Sequence, residues 1–181
     1  MVATDDERRW ILRSQKGDHD AFESLIQSHQ HMIHSLAYRM TGSVADAEDL
    51  AQETFIQAHQ QLENFRGDAK FSSWLYRIAV NRCLNWKKRE QRHGQLLEDW
   101  HEQSQTSAKP NAGLAGQVQS ALMKLNPEQR AAIVLTTYDG LSHAEAAKVF
   151  GCSETTVSWR LFAARAKLKR LLRDVKSGVG E

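Results

Sequence analysis

Residues 142–172 have the sequence SHAEAAKVFGCSETTVSWRLFAARAKLKRLL. It predicts a short helix with an apolar face, a tight turn and a longer helix. Gly151 favours the left-handed conformation that ends a helix, and Ser153 is a favourable N-cap for the next one. Two helices joined by about three or four residues that include a glycine form a helix-turn-helix, whose second helix enters the DNA major groove.

The second helix of this segment has two distinct faces. Its apolar residues recur at the spacing of a buried stripe, at Val157, Leu161, Ala164, Leu168 and Leu171 or Leu172. Its outward face carries polar, aromatic and basic side chains suited to contact bases and phosphates, at Thr155, Ser158, Trp159, Arg160, Phe162 and Arg165. Taken alone, the segment leaves one alternative open, a helical hairpin that only packs.

Composition limits the class of protein. A chain of 181 residues fits one domain or two small ones, and 41% hydrophobic with 25% charged residues is typical of a globular protein. Only two prolines and helical apolar spacing throughout predict an all-α fold. The apolar runs are too short for a membrane span and the N-terminus is too charged for a secretory signal, so we expect no membrane insertion. Two single, distant cysteines, Cys83 and Cys152, suit a reducing cytoplasm and two inert thiols.

The sequence contains no pattern typical of a catalytic or metal site. We find no phosphate loop, catalytic triad or metal cluster, and we therefore expect a protein that is not an enzyme and needs no cofactor. His29, His31 and His34 lie close together but not on one helix face, and no cysteine accompanies them. A zinc site needs a matched set of three or four ligands, so we interpret these histidines as ordinary surface or partly buried residues.

Charges along the chain are segregated although the net charge is only +2. Residues 70–92 hold seven Lys or Arg side chains and one acid, and residues 160–176 hold the same numbers. Residues 46–53 hold four acids and no base. One basic patch is usually a solvated helix face, but two of equal size indicate two separate contacts with nucleic acid.

The acidic patch lies on a helix that we expect from Ala45 to about Leu62, with Ser43 at its start. Its outward side chains are Asp46, Glu48, Asp49, Gln52 and Glu53. Acids near a helix N-terminus complement the helix dipole, which accounts for the first three acids but not for Glu53. No base stands at i+4 from these acids. An unpaired acidic face cannot face DNA, and we interpret it as a docking surface for a basic protein partner.

The first basic patch combines a loop and a helix. A polar loop around Gly67 supplies Phe65, Arg66 and Lys70, and a helix follows from Phe71 to about Arg92. One face of that helix repeats at steps of three or four residues, through Arg77, Asn81, Asn85, Lys88 and Arg92. Asparagine is a poor helix-interior residue, so two in register on a basic stripe indicate hydrogen bonding to bases. Cations, amides and nearby aromatic rings are what unpaired bases need.

The other boundaries follow from breaks in the pattern. Further helices are expected over residues 5–16, from Asp20 to His29 or beyond, over 117–125 and over 127–138. Residues 93–115 are polar and contain Pro110 and glycines, which predicts a flexible linker. We therefore expect an N-terminal domain over 1–92 and a C-terminal domain over 116–181.

Four blocks carry a resemblance to a known family: DAEDLAQETFIQA (46–58), NFRGDAKFSSWLYRIAVNRCLNWKKR (64–89), LNPEQRAAIVLTTYDGLSHAEAA (125–147) and ETTVSWRLFAARAKLK (154–169). In this order around a polar linker, the chain resembles bacterial sigma factors of the extracytoplasmic-function group, in the sigma-70 family, over roughly residues 5–175. The resemblance implies two helical domains, sigma region 2 before the linker and sigma region 4 after it. It also implies initiation of promoter-specific transcription together with core RNA polymerase.

The resemblance assigns a role to each surface. The 46–58 helix resembles the surface that docks on the coiled coil of the polymerase largest subunit. Loop 65–71 with Asn81 and Asn85 resembles the reader of the promoter −10 element, which captures a base flipped from the non-template strand. The helix-turn-helix resembles the reader of the duplex −35 element, although relatives often carry arginine where this chain has Ser158 and Ala163. An inhibitory anti-sigma factor between the two domains is also implied.

Two other classes of protein remain as alternatives. A one-component regulator would bind duplex DNA as a dimer and use its N-terminal half for interaction or ligand sensing. Such a regulator needs neither the acidic helix nor the Asn81/Asn85 stripe. An enzyme with an appended DNA-binding domain would need a catalytic constellation, and the sequence contains none that we recognise.

Overall fold

The computed structural model describes residues 5–98 and 113–177, and every regular element in these ranges is helical. This confirms the predicted all-α fold. The helices are α1 (Asp5–Ser14), α2 (His19–Thr41), α3 (Val44–Gln61), α4 (Phe71–Glu98), α5 (Leu114–Met123), α6 (Pro127–Ile133), α7 (His143–Phe150) and α8 (Glu154–Ser177). A short 3-10 turn, Leu62–Asn64, follows α3, and a π-helical turn, Val134–Tyr138, continues α6. None of the described helices is both long and apolar enough to cross a bilayer.

Helices α1 to α4 form an N-terminal bundle whose ends are fixed by local chemistry. The Asp18 carboxylate accepts a hydrogen bond from the Ala21 amide at 3.1 Å and begins α2. Gly42 ends α2 with φ +76°, a conformation that a side chain would strain. The Ser43 hydroxyl then accepts from the Asp46 amide at 3.3 Å and begins α3, as the sequence predicted.

The core of the bundle consists of aliphatic side chains at helical spacing. The fully buried ones include Leu25, Ile33, Leu36, Leu75 and Val80. Removing each of these side chains from water stabilises the fold by roughly 1.5–3 kcal/mol. These side chains come from α2 and α4, and Ala47, Leu50 and Ala58 of α3 belong to the same cluster. The core therefore fixes the positions of α3, which carries the predicted acidic surface, and of α4, which carries the first basic one.

Helices α5 to α8 form a C-terminal unit centred on the helix-turn-helix. Leu122 and Leu135 pack with the inward stripe of α8, of which Val157, Leu161 and Ala164 are at most 1% exposed. The predicted stripe is confirmed at these three positions. Leu168 is only half-buried, because the later turns of α8 extend past the small domain.

Two boundaries differ from the sequence prediction. Helix α4 continues to Glu98, six residues beyond the expected end near Arg92. Gly94 weakens a helix by about 1 kcal/mol, but the residues Gln95 to Glu98 are good helix formers and carry the helix on. Helix α5 begins at Leu114, within the predicted linker of 93–115. The flexibility predicted for that linker concerns mainly residues 99–112, which lie outside the described residues.

The two units pack directly against each other. The C-terminal end of α2 contacts α5 and α6, and the N-terminal part of α4 contacts α7. Buried residues from both units form one contiguous core cluster. Periodicity predicts which face of each helix is buried but not which distant helix covers it, so the sequence did not reveal this contact.

Candidate nucleic-acid and protein interface

The predicted acidic face lies on α3 and points away from the core. Glu48, Asp49 and Gln52 are exposed, while Asp46 and Glu53 are half-buried. On the opposite side, Ala47, Leu50 and Ala58 are at most 2% exposed and hold the helix against the bundle. Burial of one stripe therefore fixes the orientation of the acids on the other.

The expectation that this face is entirely unpaired was wrong for Glu53. Its Oε2 lies 3.3 Å from a guanidinium nitrogen of Arg82 on α4, and the Arg82 Nε donates to Gln57 Oε1 at 2.6 Å. The i+4 spacing identifies possible partners only on the same helix, whereas Arg82 comes from a neighbouring helix. Glu53 keeps 41% of its side-chain surface exposed and can still contact a partner.

The loop between the 3-10 turn and α4 is anchored at its start. The Gln15 side-chain amide donates to the carbonyl oxygens of Leu62 at 3.0 Å and Phe65 at 2.9 Å. The half-buried Phe65 ring packs on Phe71 and Trp74, with centroids 5.5 and 5.2 Å away. Phe65 thus anchors the loop. Gln15 was not among the predicted site residues, because its partners are 47 and 50 residues away along the chain.

Beyond this anchor the loop is open to solvent. Residues Arg66 to Lys70 are exposed, and Gly67 adopts φ +77°. A cleft between the loop and α1 is lined by apolar Ile11 and Leu12, by the cations Arg8, Arg66 and Lys70, and by the acids Asp5, Glu7 and Asp68. Apolar and cationic side chains have the chemistry that suits an unstacked base and its phosphate, whereas the three acids do not.

The predicted stripe on α4 lies on one exposed face. Arg77, Asn81, Asn85 and Lys88 are all exposed. The intervening residues Ile78, Val80 and Cys83 are at most 5% exposed, which keeps the stripe facing outward. Arg92 lies beyond the residues whose side chains the structure describes. The loop cleft and this stripe both belong to the N-terminal bundle and follow one another along the chain.

The helix-turn-helix has the predicted local geometry. Gly151 adopts φ +65° and its N–H bonds the Ala147 carbonyl, as expected for the end of α7. The Ser153 hydroxyl accepts from the Thr156 amide at 3.1 Å and begins α8. A full capping box between Ser142 and Glu145 also begins α7. The S-x-x-E spacing of Ser142 and Glu145 is the signal in the sequence that would have predicted this box.

The outward face of α8 is not uniform. Thr155, Trp159, Phe162 and Arg165 are exposed, with Trp159 at 67% and Phe162 at 68%. The two aromatic rings contact each other edge to face at 5.9 Å. Because both rings are exposed, this aromatic pair does not contribute to the core. Apolar side chains that enter the major groove contact thymine methyl groups, and this pair has the chemistry for such a contact.

Two predicted contact residues of α8 are held by α7 or the turn. Ser158 Oγ lies 3.1 Å from His143 Nδ1. The Arg160 guanidinium stacks 4.9 Å from the Phe150 ring and is half-buried. Both contacts join α8 to α7 within the helix-turn-helix.

His29 and Cys83 have ordinary structural surroundings. His29 Nε2 lies 2.8 Å from Glu7 Oε1 and its ring packs near Phe71. Within the described ranges, no group of three or more His, Cys, Asp or Glu side chains is arranged to hold a metal ion. Burial raises the pKa of the Cys83 thiol to about 12, which keeps it protonated and unreactive.

Comparison with known families matches both halves of the chain. The family model of Sigma-70 region 2 matches residues 25–93, and that of Sigma-70, region 4 matches residues 115–168. The ECF RNA polymerase sigma factor SigM of Mycobacterium tuberculosis is 40% identical over 164 residues, covering 90% of this chain and 83% of that protein. The ECF RNA polymerase sigma-E factor of Escherichia coli is 35% identical over 169 residues, covering 86% and 88%.

Solved structures give the same result for the fold. CnrH, in complex with the cytosolic domain of CnrY, has a TM-score of 0.71 at 30% identity and covers 94% of this chain and 99% of its own. RpoE of Bartonella quintana, in complex with the anti-sigma factor NepR, has a TM-score of 0.70 at 25% identity and covers 84% and 96%. The chain therefore belongs to the extracytoplasmic-function group of the sigma-70 family of RNA polymerase sigma factors.

Proposed function

We propose that this sigma factor docks on core RNA polymerase through the acidic face of α3, formed by Asp46, Glu48, Asp49, Gln52 and Glu53. The observation that carries this proposal is the exposure of Glu48, Asp49 and Gln52 on a helix whose other side is wholly buried. Negative charge on a protein that must also approach DNA is best matched by a basic protein surface.

The −10 element is read, in this proposal, by the N-terminal bundle. Arg66 and Lys70 hold the backbone of the melted strand beside the loop cleft, and Phe65 anchors that loop. Arg77 and Lys88 add positive charge along α4, while the amides of Asn81 and Asn85 hydrogen-bond to bases. Unstacking a base costs a few kcal/mol, which contacts in the cleft offset.

The −35 element is read by α8. Trp159 and Phe162 contact base methyl groups. The polar and basic side chains of the same face contact phosphates or bases, namely Thr155, Ser158, Arg160 and Arg165. Since α8 carries further basic residues toward its end, non-specific attraction to the phosphate backbone also contributes.

Partners and location follow from this role. The chain acts where polymerase and chromosome meet, in the cytoplasm, and it performs no catalysis itself because the polymerase supplies the chemistry. RpoE of Bartonella quintana is solved in complex with the anti-sigma factor NepR, and CnrH is solved in complex with the cytosolic domain of CnrY. We propose an anti-sigma partner for this chain as well. A one-component regulator is not favoured, since it has no need of the sigma region 2 that matches residues 25–93.

A direct binding experiment tests the docking proposal. Purified chain is mixed with core RNA polymerase and separated by gel filtration, with an unrelated helix-turn-helix protein as the control. We expect stoichiometric co-elution with the polymerase at moderate salt. Separate elution at every salt concentration would contradict the proposal.

A further inference from the structure

A histidine of α7 lies beside the outward face of α8. His143 Nδ1 lies 3.1 Å from Ser158 Oγ, although the two residues are 15 positions apart and belong to different helices. Both side chains are exposed, so the pair is open to solvent and is not part of the core. Within residues 113–177, Ser158 is the hydrogen-bond partner of this ring, which leaves the second ring nitrogen, Nε2, open to another group.

The position of the pair suits contact with DNA. In a helix-turn-helix, the start of the second helix contacts base edges while the first helix crosses the phosphate backbone. Ser158 lies in the second turn of α8, beside the exposed residues Thr155 and Trp159. His143 is the first residue of α7 and contacts this part of α8. The ring therefore lies between the helix that crosses the backbone and the helix that contacts bases.

The start of α8 has little free positive charge of its own. Glu154 is an acid in its first turn, and the half-buried Arg160 guanidinium stacks 4.9 Å from the Phe150 ring. The exposed Arg165 lies about 10 Å farther along the helix axis than Ser158. The ionisable group in direct contact with Ser158 is therefore a histidine, and the chain has no other histidine after residue 101.

The imidazole donates to Ser158 and to a phosphate at the same time in only one protonation state. A neutral ring donates from one nitrogen and accepts at the other, whereas the imidazolium donates from both. When Nδ1 donates to Ser158 Oγ, the serine O–H is free to donate to a base acceptor such as guanine N7 or O6. When Nε2 donates as well, it forms a charge-assisted hydrogen bond with an anionic phosphate oxygen. Contact with DNA therefore favours the doubly protonated ring.

We propose that His143 belongs to the −35 reader, where its imidazolium binds a phosphate through Nε2 and directs the Ser158 hydroxyl toward a base through Nδ1. This inference rests on the proposed function of α8 as the −35 reader. Binding of the −35 duplex then takes up a proton. Affinity therefore rises as pH falls through the range in which histidine side chains titrate in proteins, about pH 5 to 8.

Other charged groups near His143 decide which controls are needed. They come from α7, from α8, from the turn before α7 and from the loop before α4, and are Glu145, Lys148, Glu154, Arg160, Asp139 and Lys70. Burial raises the pKa of the Asp139 carboxyl to about 6, so its protonation removes a negative charge in the same pH range. The hydrogen bond with Lys70 lowers the pKa of Glu145 to about 2, which keeps Glu145 ionised. Asp139 is therefore the group that a pH experiment must separate from His143.

Fluorescence anisotropy of the full chain on a −35 duplex, at about pH 6 and about pH 8, tests the proton uptake. We expect wild type to bind about fivefold more tightly at the lower pH, the effect of one charge-assisted hydrogen bond at partial protonation. His143→Ala should lose most of this difference. Asp139→Asn and His31→Ala, which removes an exposed histidine of α2, should keep most of it. An unchanged difference in His143→Ala, or its loss in Asp139→Asn, would overturn the proposal.

A double-mutant cycle tests whether the two residues act as a pair. The measured quantity is the ratio of affinities for the −35 duplex and for a scrambled duplex at about pH 6. We expect Ser158→Ala and His143→Ala each to lower this ratio by about fivefold, and the double variant to lower it no further than Ser158→Ala alone. Additive losses would show that the residues act independently and would overturn the pairing. Wild type that binds both duplexes equally at both pH values would instead refute the proposed function of α8.

Discussion

Glu53 on the acidic face of α3 lies 3.3 Å from Arg82 on α4, which ties the proposed docking surface to the helix that carries the exposed stripe of Arg77, Asn81, Asn85 and Lys88. The pair is partly exposed on both sides, so it contributes little to stability by itself. Its importance is positional, because Arg82 and Gln57 set the direction in which the Glu53 carboxylate points.

Reversing the charge of the docking face should abolish polymerase binding. In the double variant Asp49→Lys, Glu53→Lys, two exposed or half-exposed acids become cations that repel a basic partner. We expect affinity for core polymerase to fall by at least about 100-fold, since like charges at an interface cost several kcal/mol. Glu23→Lys, an exposed acid on α2, is the matched control. Retained binding by the double variant would remove α3 from the interface.

Removing the amides of the α4 stripe should separate opening of the promoter from binding of its duplex part. In Asn81→Ala, Asn85→Ala, both exposed side chains lose their base contacts while the helix gains propensity. We therefore expect unchanged or slightly raised thermal stability, unchanged duplex −35 affinity and impaired opening. Permanganate reactivity of unpaired thymines measures the opening. Normal opening by this variant would contradict the role of the stripe.

The aromatic pair on α8 should matter for DNA and not for folding. Trp159 and Phe162 are 67% and 68% exposed, so Trp159→Ala and Phe162→Ala remove little core packing. We expect melting temperatures close to wild type and −35 duplex affinity lowered by roughly 1–3 kcal/mol in each. Fluorescence anisotropy with a −35 duplex and a scrambled duplex measures this. An equal loss on both duplexes would indicate phosphate contact rather than base reading.

Stability should rise as pH falls from 7.5 to 5, because of Asp139. Burial is the main cause that raises the pKa of its carboxyl to about 6 from the ordinary 3.8, while Arg39 and the Tyr76 hydroxyl act in the opposite direction. One of its oxygens is buried without a hydrogen-bond partner. The folded chain thus binds a proton that the unfolded chain releases, so stability is lost as pH rises from about 4 through 6.

The free energy of unfolding should be about 1–2 kcal/mol higher at pH 5 than at pH 7.5 because of Asp139, after allowing for partial solvent screening. Glu145 does not contribute to the slope between pH 5 and 7.5. Its hydrogen bond with Lys70 lowers its pKa to about 2 from the ordinary 4.5, so its contribution to stability is complete above about pH 4.5. Urea denaturation at several pH values gives the profile. In Asp139→Asn we expect the slope between pH 5 and 7.5 to flatten, and a slope equal to that of wild type would assign the effect to another group.

Local features of the fold were predictable because neighbouring residues determine them. Gly151 ends α7, Ser153 begins α8 and Val157 opens the buried stripe, and each follows from side-chain chemistry within one or two helical turns. The end of α4 was misplaced because helix propensity changes little between Arg92 and Glu98, apart from Gly94.

Long-range pairs were not predictable from one sequence. Glu53 and Arg82 are 29 residues apart, Lys70 and Glu145 75, and Met40 and Arg130 90. The spacing of apolar residues shows on which face of its helix each of these residues lies, but it contains no information on which other helix packs there. The candidate surfaces could therefore be placed on their helices from sequence, whereas the contacts between the two domains required the structure.

Run-off transcription with purified core polymerase tests directly whether the chain is a transcription initiation factor. A pool of linear promoter fragments from the source genome is transcribed with and without the chain, and the transcripts are mapped at their 5′ ends. We predict new starts that depend on the chain and share upstream sequence elements centred near −10 and −35. Transcripts that are the same with and without the chain, from every fragment and under conditions in which the chain is folded, would contradict its role as an initiation factor.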